Sequence, residues 1–152
     1  MTPLFQKLNL GELAEIVVLN EPVSFNTELE ALTDVTIHKT AGKAKQVQFG
    51  IGFAVTQKEL DKVCAALAKA EGDVIIWIAY PKQSSKKYKC EFNRDTGWEV
   101  IGKLGFEPVK QVAIDEDWSA LRFRRVEFIA TLTRRNSMAL SEQGKARTKK
   151  SS

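Results

Sequence analysis

The stretch from Val74 to Lys89, VIIWIAYPKQSSKKYK, decides how the rest of the chain reads. It begins as an unbroken apolar run, Val74-Ile75-Ile76-Trp77-Ile78-Ala79. Such a run predicts a strand buried on both faces, as in a parallel sheet covered by helices on each side. At Tyr80-Pro81-Lys82-Gln83-Ser84-Ser85-Lys86-Lys87 it changes into a polar, cationic loop. A buried strand that opens into a polar loop is how an open α/β sheet presents a site, because the loops at the carboxyl ends of its strands form the crevice.

Working backwards, Val47 to Val55 alternates apolar with small or polar residues and predicts another strand, with Gly50 and Gly52 on one face where a helix can pack closely. Thr56-x-x-Glu59 follows as a capping box. Leu60, Val63, Cys64, Leu67 and Ala68 then recur at helical spacing until Gly72. Strand, capped helix, glycine and strand make a βαβ unit, which requires parallel strands. Upstream, Thr2 to Leu8 predicts a helical turn, Ile16 to Leu19 a strand, Ser24 to Leu32 a helix and Val35 to His38 a second strand.

Downstream, Asn93 or Asp95 can cap a helix carrying Trp98, Ile101 and Leu104, stopped by Gly105. Pro108 to Ile114 and Ser119 to about Leu132 are predicted strands separated by a short acidic turn, hence an antiparallel hairpin. The apolar phase shifts between Phe123 and Val126, which predicts a bulge or break near Arg124-Arg125. The expected fold is therefore a compact, Rossmann-like α/β domain over residues 1–133. It has a mostly parallel sheet, helices on its faces and a C-terminal antiparallel hairpin.

Composition narrows the classes. The chain has 152 residues with 43% hydrophobic and 28% charged, ordinary for one globular domain. No apolar run is long enough to span a bilayer, and the N-terminus lacks a signal-peptide pattern. The expected setting is cytoplasmic, with both cysteines reduced. The net charge of +4 is unevenly placed. Residues 134–152 hold Arg134, Arg135, Lys145, Arg147, Lys149 and Lys150 against Glu142, a net of +5. The first 133 residues thus sum to −1. A nucleic-acid-binding fold carries its basic patch on the body, so only the tail, expected to be flexible, is a candidate for weak polyanion contacts.

If the sheet is parallel up to the strand at 108–114, four loops share one edge: Asn20 to Asn26, Thr56-Gln57, Pro81 to Asn93 and Asp115 to Trp118. They bring forward Asn20, Lys82, Ser84, Ser85, Arg94, Asp117 and Trp118 as ligand-binding candidates. Lysine supplies charge and serine hydroxyls supply donors for an anion such as phosphate. The competing reading is a solvated lysine loop. Asp117 and Trp118 can equally serve a ligand or close the core and its turn. Arg122 and Arg124 share a strand face and can bind a ligand or pair with Asp95 or Glu99. His38, the only histidine, has no catalytic partner at a diagnostic spacing, and no His/Cys cluster or dense acidic loop indicates a metal. Gly50-x-Gly52 lies inside a strand, not after one, so it is not a dinucleotide fingerprint. No cofactor is expected, and no catalytic residues are assigned.

Two resemblances accompany this reading. The order of elements over residues 15–132 is similar to class I methyltransferases, whose glycine-rich cofactor loop follows the first strand; here Leu19-Asn20-Glu21-Pro22-Val23 stands in that place. Second, Trp77-x-x-Tyr80-Pro81-Lys82, Asn93-Arg94-Asp95 and Val109-Lys110-x-Val112-Ala113-Ile114-Asp115-x-x-Trp118-Ser119-x-Leu121-Arg122-Phe123, with Asn20-x-Pro22, resemble a family of small bacterial proteins described as a domain of unknown function. That resemblance implies the Rossmann-like fold and carries no activity. The expected role is a binding module for an anionic small molecule or a partner's acidic group, with a divergent methyltransferase as the alternative.

Overall fold

The computed structural model describes residues 3–40, 42, 47–92 and 96–129. Arg94 and the tail at 134–152 lie outside the described residues. Strands β1 (Glu15–Leu19), β2 (Thr36–His38), β3 (Phe49–Phe53), β4 (Ile75–Pro81), β5 (Phe106–Ala113) and β6 (Trp118–Arg125) form one sheet in the order β2-β1-β3-β4-β6-β5. β1 pairs in parallel with β2 and β3, and β3 with β4. β6 runs antiparallel to both β4 and β5. It follows that β5 points the same way as β1 to β4, so the chain leaves all five of those strands at one edge.

The apolar run of the central strand explains the layering. Ile76, Ile78 and Tyr80 face the cluster under α3 (Gln57–Leu67) and α4 (Glu99–Lys103). Trp77 and Ala79 face the cluster under α1 (Pro3–Lys7) and α2 (Asn26–Glu30). A strand with helices on both sides needs no polar face, and β4 has none until its end. The buried Trp77 indole N–H donates to the Leu8 carbonyl at 2.8 Å, which ties α1 to the sheet without leaving a donor unpaired.

The βαβ unit forms for the reasons its residues supply. Thr56 Oγ1 accepts from the Glu59 amide at 3.1 Å and Glu59 Oε1 accepts from the Thr56 amide at 3.1 Å. This is the reciprocal capping box, satisfying two orphan donors of α3. Gly50 and Gly52 let α3 lie against β3. A Cβ on Gly52 would sit 2.8 Å from the Val63 Cβ, and one on Gly50 would sit 2.6 Å from a Leu67 methyl.

Some expectations need correction. β6 ends at Arg125 and does not run on to Leu132; a 3-10 turn, Val126–Phe128, follows it. The phase shift near Arg124-Arg125 is thus a break, one of the two readings it allowed, and the Val126 amide adds one last bond in register, to the Gly105 carbonyl, before the chain turns. The ladder irregularity lies in β5, between Pro108 and Lys110, where proline cannot donate. β5 itself begins at Phe106, two residues before the expected Pro108. Finally, α4 is short, and Trp98 occupies its N-cap without a side-chain cap bond; the expected caps, Asn93 and Asp95, lie outside the described residues.

Candidate functional site

The carboxyl edge of the sheet has two differently built ends. At the end of β1, Asn20 adopts φ 59°, a left-handed turn that asparagine tolerates better than most residues. Its side-chain amide donates to the Phe53 carbonyl at 2.8 Å and to Glu59 Oε2 at 2.9 Å. Glu59 also accepts from the Val55 amide at 3.0 Å. Burial raises the Glu59 pKa, but the donors from Val55, Asn20 and Thr56 together outweigh it and leave the carboxyl below its ordinary value. Glu21 pairs with Lys39 at 3.0 Å. Asn20, Glu59 and Glu21 are thus engaged at this end.

At the end of β4 the chain opens into a cleft of about 1280 Å³. Its wall is the loop from Lys82 to Phe92, and its floor includes Tyr80, Gln111 and Ser119. Gln111 Nε2 donates to Ser119 Oγ at 2.9 Å and to Tyr80 Oη at 3.2 Å. These three were not foreseen. Their signal is that polar Gln111 and Ser119 fall on the same side of the hairpin as Tyr80, a relation visible only once the register is known.

Ser85 fixes the loop. Its hydroxyl donates to Asp117 Oδ1 at 2.9 Å and accepts from the amides of Lys87 and Tyr88 at 3.3 and 3.2 Å. The Lys82 amide donates to the Asp117 carbonyl at 2.8 Å, and the Ser85 amide to the Lys82 carbonyl at 3.0 Å. Asp115 Oδ1 in turn accepts from the amides of Asp117 and Trp118 at 2.8 and 2.9 Å. The far end of the loop returns through Phe92, buried against Tyr80 and Trp98 with ring centroids 6.0 and 5.4 Å away.

The candidate residues therefore separate. Lys82, Ser84, Ser85 and Asp117 are brought together, the first three lining the cleft and Asp117 holding Ser85. The Ser85 hydroxyl and Asp117 Oδ1 are spent on loop geometry. Trp118 is only 3% exposed and packs against Phe53 and Tyr88, so it closes the core and offers no open face for stacking. Asn20 belongs to the other end, with Glu59.

The charge of the cleft is one-sided. Lys82, Lys86, Lys87 and Lys89 line it, and the one acid among its described lining residues is Glu91. Glu91 Oε1 already accepts the Gln57 amide at the start of α3, at 2.8 Å. Cys90 also lines the cleft, but burial, aided by the charge of Glu91, pushes its thiol pKa up against a lowering bond from Phe92. A thiol held protonated is a poor nucleophile. His38 lies elsewhere, 3.5 Å from Glu15. Among the described residues no group of three or more His, Cys, Asp or Glu gathers to hold a metal, and no helix is long and apolar enough to cross a membrane.

Comparison with solved structures shows two with a similar fold over most of their lengths. A SAM dependent methyltransferase from Aquifex aeolicus is similar with a TM-score of 0.53 and 11% identity, over 81% of this chain and 88% of that one. The PH0226 protein from Pyrococcus horikoshii OT3 is similar with a TM-score of 0.51 and 12% identity, over 81% and 86%. At these identities the likeness is one of fold. No family model matches the sequence. No curated protein matches it either.

Proposed function

We propose that the protein is a binding module for an anionic small molecule, or for the acidic group of a partner, held in the cleft at the end of β4. The observation that carries this reading is the unbalanced charge of that cleft: four lysines, with its single described acid committed to the α3 N-terminus. Lysine is a compact, mobile charge suited to phosphate or carboxylate. The Ser85–Asp117 anchor supports the reading, since ordering the loop beforehand lowers the entropy cost of binding. Ser84, exposed on the same loop, supplies a further hydroxyl. Titration calorimetry with pyrophosphate at low salt tests it. Heat of binding that disappears in a Lys82→Ala, Lys86→Ala, Lys87→Ala variant is expected. No heat with the intact protein, or equal heat with the variant, rejects the reading.

The fold likeness favours a second reading, a methyltransferase-like enzyme using S-adenosylmethionine. The residues at the end of β1 do not fit that cofactor. A cofactor loop there needs backbone close to the ligand and donors left over for it. Here the Asn20 side chain already closes onto Phe53 and Glu59, and Pro22 follows. Calorimetry with millimolar S-adenosylmethionine is expected to give no heat and no thermal shift; a clear shift would restore the enzymatic reading, since a bound ligand raises the melting temperature by mass action.

A further inference from the structure

Three arginines in β6 are close in sequence and unlike in their surroundings. Arg124 holds Asp73 with two parallel bonds, Nε to Oδ1 at 2.8 Å and Nη2 to Oδ2 at 2.6 Å. Arg125 donates to the carbonyls of Ala68, Ala70 and Gly72, which closes the C-terminal end of α3. Arg122 has neither arrangement. It is half-buried, its Nε is shielded from solvent, and among the described residues no acceptor reaches it.

A guanidinium does not lose its proton in a protein, so Arg122 is a fixed charge. Burial, and then the neighbouring Arg124 charge, lower its pKa, and Asp73 offsets this only in part. Asp73 is already held on two sides by Arg124. Glu107, on the same face, lies opposite Arg124 in the ladder and is buried and engaged. A shielded donor without an acceptor costs free energy and asks for an explanation. The register supplies one. Arg122 stands between Trp77 of β4 and Lys110 of β5, so the three share the side of the sheet that α1 covers. Lys110 is exposed. A guanidinium fork paired in register with a lysine, with no uncommitted acid beside either among the described residues, is an arrangement that receives a doubly charged oxyanion.

We propose that Arg122 and Lys110 form a second anion site, for the phosphate group of a small molecule, on the face of the sheet opposite the Tyr80–Gln111–Ser119 floor of the lysine cleft. The site does not depend on the cleft being a binding site. Arg122 binds two phosphate oxygens in its plane, and Lys110 contributes the second charge from the edge strand.

The test isolates this site by starting from the variant lacking Lys82, Lys86 and Lys87. Inorganic phosphate, titrated at constant ionic strength, is expected to raise the melting temperature of that variant. Adding Arg122→Gln is expected to abolish the shift, and Arg122→Lys, which keeps the charge but not the fork, to leave a reduced one. No shift in the parent, or one that survives Arg122→Gln, overturns the proposal. Acetate is the second arm: a shift equal to that of phosphate overturns the assignment to a doubly charged group. A third measurement needs no ligand. If Arg122 is reserved for an anion, Arg122→Met should melt at or above the parent, because it removes an unpaired buried charge and keeps an apolar stem. A marked fall in melting temperature would make Arg122 structural and end the argument.

Discussion

Two loops leave parallel strands at the same edge of the sheet, and they resolve the same physical problem in opposite ways. After β1, Asn20 turns sharply and its amide joins the Phe53 carbonyl and Glu59, the third residue of the α3 capping box. After β4, Ser85 and Asp117 anchor a longer loop but leave the side chains of Lys82, Lys86, Lys87 and Lys89 facing a cleft. The first end is closed by its own hydrogen bonds. The second is held in shape and left open in charge. In an open α/β sheet the crevice where strand order reverses, here beside β1, is the usual ligand position. In this chain the lysine-lined cleft lies two strands along, at the end of β4.

The largest effect should come from separating α3 from β3, because α3 serves both ends. Glu59 faces the β1 end, while the Gln57 side chain reaches the Gly97 carbonyl and its amide reaches Glu91. Gly52→Ala places a methyl 2.8 Å from the Val63 Cβ, a branch point that cannot swing aside. The expected loss is about 2–3 kcal/mol, typical of overpacking, read as a lower urea midpoint. A midpoint within error of the parent would show that the helix shifts without cost.

Breaking only the β1 end should cost less. Glu59→Ala removes the capping box and the Asn20 contact together, with an expected loss of about 1–2 kcal/mol at neutral pH. The effect has a pH signature. The folded-state pKa of Glu59 lies below its ordinary value of 4.5. Its contribution is therefore complete above that value and is lost as pH falls through the lower, folded-state value. Urea melts of parent and variant should differ at pH 7 and converge in strong acid. A constant difference across that range would mean that the carboxylate's charge plays no part. The cleft's pyrophosphate binding should survive this change, which sharpens the contrast between the two ends.

What could be read in advance follows the range of the interactions. The buried run of β4, the capping box at Thr56 and the close-packing glycines of β3 are local patterns, and each formed as its spacing required. The parallel sheet and closing hairpin followed from loop lengths. The end of β6 did not, because an apolar phase shift reads the same for a bulge as for a strand that turns into a 3-10 step. What distinguishes them is the pairing of β6 with β5, whose last bond, from Val126 to Gly105, spans 21 positions of sequence. The Asn20 contacts with Phe53 and Glu59 span 33 and 39 positions. Asn20 could thus be placed at the edge from sequence, but not assigned to the closed end. Trp118 shows the same limit: an Asp-Trp pair at a turn is compatible with a stacking platform or a core plug, and only the packing of Phe53 and Tyr88 against it decides.

The smallest stability effect, and the most informative about the open end, belongs to Ser85. Its hydroxyl makes three bonds, all at or near the surface: one given to Asp117 and two received from Lys87 and Tyr88. Water can replace each partner, so Ser85→Ala should cost less than about 1 kcal/mol in global stability. The loop should feel it more. With their acceptor gone, the Lys87 and Tyr88 amides should exchange hydrogen faster, while the amides of β4 keep their protection. If the loop is ordered to hold an anion, pyrophosphate affinity should fall with it, since binding must then order the lysines itself. Ser85→Thr keeps the hydroxyl and should restore both readouts. Faster exchange with unchanged affinity would show that the anchor serves the fold alone and that the lysines bind without it.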